Sequence, residues 1–95
     1  MLVRNRIKSK ALRRFAFDGD ESGINPSWLK KVRLVLNALD IAVSPYELNL
    51  PGWHLHELKG DKAGTFSVRV TKNHRITFRW SDSGPYDVNL EDYHG

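Results

Sequence analysis

Ser67-Val68-Arg69-Val70, then Thr71-Lys72-Asn73, then His74-Arg75-Ile76-Thr77-Phe78-Arg79-Trp80 reads as two strands joined by a short turn, and this reading decides the fold. Side chains alternate across a strand. Val68 and Val70 therefore point one way while Ser67 and Arg69 point the other. In residues 74–80 the apolar set is Ile76, Phe78 and Trp80, opposed by Arg75, Thr77 and Arg79. A three-residue connection favours an antiparallel hairpin. The hairpin predicts that Arg69 and Arg75 share one face and that the valines, Ile76 and Phe78 share the other.

Further strands follow from the same period. Tyr86, Val88 and Leu90 are expected to form the apolar face of a strand reached through Asp82-Ser83-Gly84-Pro85. Residues 53–58 are a fourth candidate, with Trp53 and Leu55 opposite His54 and His56. Residues 2–7 alternate weakly between apolar and basic, which suits an edge strand. Ser9 can cap a helix running to about Phe17, with Ala11, Leu12, Phe15 and Ala16 on one side. Asn25 and Pro26 are a cap and a first helical residue, and Trp28, Leu29, Val32, Val35, Leu36 and Leu39 follow at helical spacing. Residues 42–52 connect helix to sheet, marked by Ser44-Pro45 and Pro51-Gly52. The expected fold class is α+β, a mostly antiparallel sheet packed by its apolar face on two N-terminal helices. Its other face is cationic.

At 95 residues there is enough apolar material for one core and not two, so residues 1–95 read as a single domain. The chain has no cysteine, which removes disulfides and thiolate zinc sites. No apolar run is long enough to span a bilayer, and the basic N-terminus lacks the apolar core of a secretory signal, so a cytoplasmic location is expected. The net charge of +4 is unevenly spread. Arg4, Arg6, Lys8, Lys10, Arg13 and Arg14 precede any acid, and Lys59, Lys62, Arg69, Lys72, Arg75 and Arg79 are opposed only by Asp61. The end of the chain reverses sign with Asp82, Asp87, Glu91 and Asp92. Such segregation favours a polyanionic partner, because neutralising phosphates supplies most nonspecific nucleic-acid affinity.

Some of these residues also suit chemistry on a phosphodiester. RNA can be cut when its own 2′-OH is deprotonated and attacks the adjacent phosphorus, which needs a base, an acid and donors for the charge on the phosphoryl oxygens. Arg69 and Arg75 can converge on one phosphate in forked geometry, and Lys59 adds a point charge. His56, Asp92, Tyr93 and His94 are the proton-transfer candidates. Each has a plainer reading: the arginines as solvated strand positions, Tyr93 as an aromatic closing the core edge, His94 as an inert terminal residue. His54 and His56, two apart on one strand face, could hold a metal, but no third histidine at ligand spacing supports that. From spacing alone, a noncatalytic RNA- or DNA-binding domain remains the alternative.

The blocks His56-Glu57-Leu58-Lys59-Gly60-Asp61, Ser67-Val68-Arg69-Val70, Asn73-His74-Arg75-Ile76-Thr77-Phe78 and Glu91-Asp92-Tyr93-His94 resemble, in order and spacing, the signature of HigB-type toxins of the RelE superfamily. The resemblance covers nearly the whole chain, though more loosely in the helices. It implies a RelE-like fold and a toxin of a bacterial toxin-antitoxin module. The expected activity is a metal-independent endoribonuclease that cleaves mRNA in the ribosomal A site and needs no cofactor. The implied partner is a helix-turn-helix antitoxin. Carried to matching positions, Lys59, Arg69 and Arg75 would stabilise the scissile phosphate, and His56, Asp92, Tyr93 and His94 would position or transfer protons. This chain has His74 where many relatives have an aromatic residue, and Phe66 where tryptophan is common.

Overall fold

Two helices and a four-stranded antiparallel sheet make up the computed structural model of the chain, which describes residues 1–92. Helix α1 spans Lys10–Asp18, and the Ser9 hydroxyl accepts a hydrogen bond from the Leu12 amide, as the cap pattern predicts. Gly19 closes it in the left-handed region, φ 67°, a conformation glycine adopts without a Cβ penalty. Asn25 caps a single 3-10 turn, Pro26–Trp28, and helix α2 proper runs over Leu29–Ile41. Val32, Val35, Leu36 and Leu39 are its buried stripe. Among the described residues, no helix is long and apolar enough to cross a membrane.

The strands are β1 (His56–Glu57), β2 (Thr65–Arg69), β3 (His74–Ser81) and β4 (Gly84–Asp92), hydrogen-bonded in that order. The register pairs Arg69 with Arg75, Val68 with Ile76, Ser67 with Thr77 and Phe66 with Phe78. Strand parity thus sorts the hairpin as its sequence predicts. Thr71 closes the turn: its hydroxyl accepts from the amides of Asn73 and His74, a local bond that competes with extended structure. Phe66, Val68, Ile76, Phe78 and Val88 meet Leu12 and Phe15 of α1 and the α2 stripe in one buried cluster.

Three expectations are corrected. Residues 2–7 are not a strand. Arg4–Arg6 form a 3-10 turn, and only Ile7 bridges the sheet, parallel to Val88, with Val88 O accepting from the Lys8 and Ser9 amides. The fourth strand is only two residues long, because Gly52 and His54 both take positive φ, 82° and 50°, and extended pairing cannot begin until Leu55 is passed. In β4, Thr77 pairs with Asn89 but Arg79 pairs with Tyr86, so two steps on β3 are matched by three on β4. This is a β-bulge, with Asp87 at φ 50°. It moves Tyr86 to the face of Arg79, whose guanidinium lies 5.8 Å over the phenol ring, while Val88 stays in the core.

Candidate active site

The open face of the sheet carries rows of polar side chains. One row is Arg69, Arg75 and Glu91, set by direct pairing across β2, β3 and β4. The next row is His56, Ser67, Thr77 and Asn89. Rows on one face repeat every second residue, about 7 Å apart. His56 therefore lies on the face of the arginine pair, one row away, and is exposed. Lys59 is also exposed and stands just before the 3-10 turn Gly60–Lys62 that leads into β2.

Two guanidinium groups opposed across a strand pair repel each other, and the surroundings offset this with neutral acceptors. Arg75 Nη1 donates to Ser67 Oγ at 3.1 Å and to the His54 carbonyl at 3.3 Å. Ser67 is 1 % exposed, so this is a buried hydroxyl holding one terminal nitrogen of the guanidinium. Arg69 Nη1 lies 3.4 Å from His54 Nε2, and its backbone amide donates to the Trp53 carbonyl at 2.8 Å. Glu91 is the register partner of Arg75, yet its carboxylate turns elsewhere: it accepts from the Thr77 hydroxyl and lies 3.6 Å from Lys62 Nζ. Among the described residues neither Arg69 nor Arg75 pairs with a carboxylate, in contrast to Arg4 with Asp18 and Arg33 with Glu21. A guanidinium has five N–H donors. Among the described residues both arginines commit only Nη1, which leaves the Nε/Nη2 edge to suit the forked recognition of a phosphate.

Farther along the sheet face is a depression of about 250 Å3 whose lining mixes the cations Lys8, Lys62 and Arg79 with the acids Asp61, Asp87 and Glu91. A larger open hollow of about 700 Å3 lies elsewhere, between the N-terminal turn and α1, edged by Arg4, Lys10, Arg13 and Arg14. Its described lining includes neither Arg69, Arg75 nor His56, so its size alone does not make it the site.

Of the residues expected at the site, the structure brings Arg69, Arg75 and His56 onto one face and puts Lys59 past the end of β1, before the 3-10 turn. Asp92 is placed differently. It pairs with His74 at the start of β3, and these two belong by strand parity to the face opposite Arg75. Their side chains approach to 3.7 Å between Nε2 and Oδ2. His74 is further held by Thr71 Oγ1, 2.9 Å from Nδ1, and by Trp28, whose ring centroid is 4.2 Å away. Tyr93 and His94 lie outside the described residues. His54 was expected on one strand with His56, but it lies outside β1, although its ring still reaches Arg69 on the face that His56 shares. Its positive φ breaks that strand, and apart from the preceding Pro51-Gly52 turn no sequence signal marks it.

The segment holding His54 is anchored from below. Trp53 is in the core cluster, and Lys31 of α2 sets its ammonium 4.5 Å over the indole. Burial pushes the Lys31 pKa down from the ordinary lysine value, and the ring face offers the cation partial compensation.

Comparison with known proteins identifies the family. Residues 5–94 match the family described as RelE-like toxin of type II toxin-antitoxin system HigB. The chain is similar to Endoribonuclease HigB of Proteus vulgaris, 38% identical over 88 residues that cover 93% of this chain and 96% of that protein. It is similar also to Toxin HigB-1 of Vibrio cholerae serotype O1, 30% identical over 87 residues covering 90% and 92%. The chain belongs to the HigB family of RelE-like toxins of type II toxin-antitoxin systems.

Proposed function

We propose that this toxin is an endoribonuclease that cuts mRNA in the ribosomal A site without a metal ion, and that a co-expressed helix-turn-helix antitoxin restrains it. The observation that carries the reading is the Arg69 and Arg75 pair, opposed on the open sheet face with no carboxylate on either among the described residues. The relative from Proteus vulgaris is named an endoribonuclease, and a phosphodiester is the anion such a pair suits.

The reaction needs no group beyond RNA and protein. A base takes the 2′-OH proton, the 2′-oxygen forms a bond to phosphorus, and the bond from phosphorus to the 5′-oxygen breaks. An acid returns a proton to that oxygen, leaving a 2′,3′-cyclic phosphate and a 5′-OH. Arg69 and Arg75 hold the two non-bridging oxygens as charge builds on them, and Lys59 adds a cation at the rim. His56, Tyr93 and His94 serve the proton transfers. Asp92 acts through His74, tying the end of β4 to the hairpin turn, rather than by touching the phosphate. The ribosome supplies what a flat, open face lacks, a substrate already held in place for in-line attack.

The test is incubation of the purified chain with mRNA on programmed ribosomes and with the same mRNA free, each with and without a chelator. Cuts in the A-site codon of ribosome-bound mRNA only, ending in 2′,3′-cyclic phosphate and indifferent to chelator, are expected. Binding without cleavage would make the chain a noncatalytic RNA binder, and loss of cutting in chelator would reject the metal-free mechanism.

A further inference from the structure

His54 touches both arginines. Its imidazole Nε2 lies 3.4 Å from Arg69 Nη1, and its carbonyl accepts from Arg75 Nη1 at 3.3 Å. These contacts come from two different parts of one residue, and the backbone makes them compatible. With φ at 50°, His54 is in the left-handed region, which non-glycine residues visit at a cost and which concentrates at functional sites. The segment is fixed on either side of that torsion. Trp53 sits under Lys31 and offers its carbonyl to the Arg69 amide, and Gly52 turns the chain ahead of it. The imidazole itself is exposed, so core packing does not account for the conformation.

We infer that His54 is a positioning residue for the phosphate site: its ring orients the Arg69 guanidinium while its strained backbone orients that of Arg75, so that both present their free edges together. This rests on the endoribonuclease reading above and extends it to a residue that the proton-transfer set does not include. Two unrestrained arginines on adjacent strands would spread apart under mutual repulsion. A small loss of alignment at a reacting phosphate is costly, since misplacement by about 1 Å lowers rates by roughly 100-fold.

The left-handed backbone permits a clean separation of the two contacts. His54→Gly keeps the φ and the carbonyl to Arg75 and removes only the ring. His54→Asn, also at home in this region, keeps an acceptor for Arg69. Single-turnover cleavage on programmed ribosomes is measured for both, alone and combined with Arg69→Ala or Lys59→Ala, with thermal melting as the check on folding. In the otherwise native chain His54→Gly should slow cleavage by about 10- to 100-fold without changing the melting temperature. His54→Asn should recover most of that loss. The His54→Gly effect should vanish beside Arg69→Ala and persist in full beside Lys59→Ala. Equal losses in both backgrounds, or no loss at all, would overturn the positioning role. A native chain that cuts nothing would instead remove the parent reading, and the positioning role with it.

Discussion

In the proposed site, Arg75 is the side chain that would meet an anion. Its Nη1 is held by a hydroxyl beneath and a carbonyl beside it, both neutral, so the cation is aimed without being neutralised. Ser67→Ala removes the buried acceptor. Cleavage should fall several-fold, while stability measured by urea unfolding should change by only about 1 kcal/mol, the net value of one hydrogen bond. Asp18 shows the opposite arrangement. Its pKa is lowered, foremost by the hydrogen bond from Arg4 and also by attraction to Arg4 and Arg14, against an opposing desolvation effect. Because the folded-state value lies below the unfolded one, the stabilisation is present above the ordinary carboxylate range and is lost as pH falls through the depressed folded value. Both partners are solvent-exposed, so Asp18→Asn should flatten the acid limb of a stability profile slightly, and less so in high salt.

At the scale of elements, the sequence made most of the hairpin and both helices legible for physical reasons that can be named. Val68, Ile76 and Phe78 alternate with Ser67, Arg75 and Thr77, and period two leaves no other sorting of faces. Ser9 and Asn25 mark starts because their side chains replace missing amide partners. What stayed hidden depends on backbone torsions that no composition rule signals. The φ of His54 cut β1 to two residues, and the φ of Asp87 put Tyr86 on the open face. Asp87→Gly should leave stability within about 1 kcal/mol of the native chain, since glycine fits the torsion but adds chain entropy. Asp87→Val should cost roughly 1–3 kcal/mol, since a β-branched residue is strained there. Denaturant titration of both variants checks the bulge directly. In the site, the arginine pair was legible from parity, while the grip of His54 on it was not, because that contact is set by a turn and spans 15 residues for Arg69 and 21 for Arg75. The separation of Asp92 from the arginine face was legible in principle, since residues 90 and 92 share parity, but the motif reading grouped it with its neighbours instead.

The whole molecule divides its labour between the two faces of one sheet. The helices cover the apolar face, and Leu39 of α2 and Phe78 of β3, members of the shared core cluster, are each 0 % exposed. Leu39→Ala should destabilise by roughly 2–5 kcal/mol through lost burial and a cavity, lowering the melting temperature without altering cleavage per folded molecule. The other face carries Arg69 and Arg75, which pair with no carboxylate among the described residues, so the proposed function rests on charge. The central claim is that these arginines hold the scissile phosphate. The most direct measurement of it is single-turnover cleavage of ribosome-bound mRNA by Arg75→Ala, with folding verified by its melting curve, beside the native chain. Loss of cleavage by at least about 100-fold in a protein that melts like the native one is the expected result, and native-like cleavage by folded Arg75→Ala would contradict it.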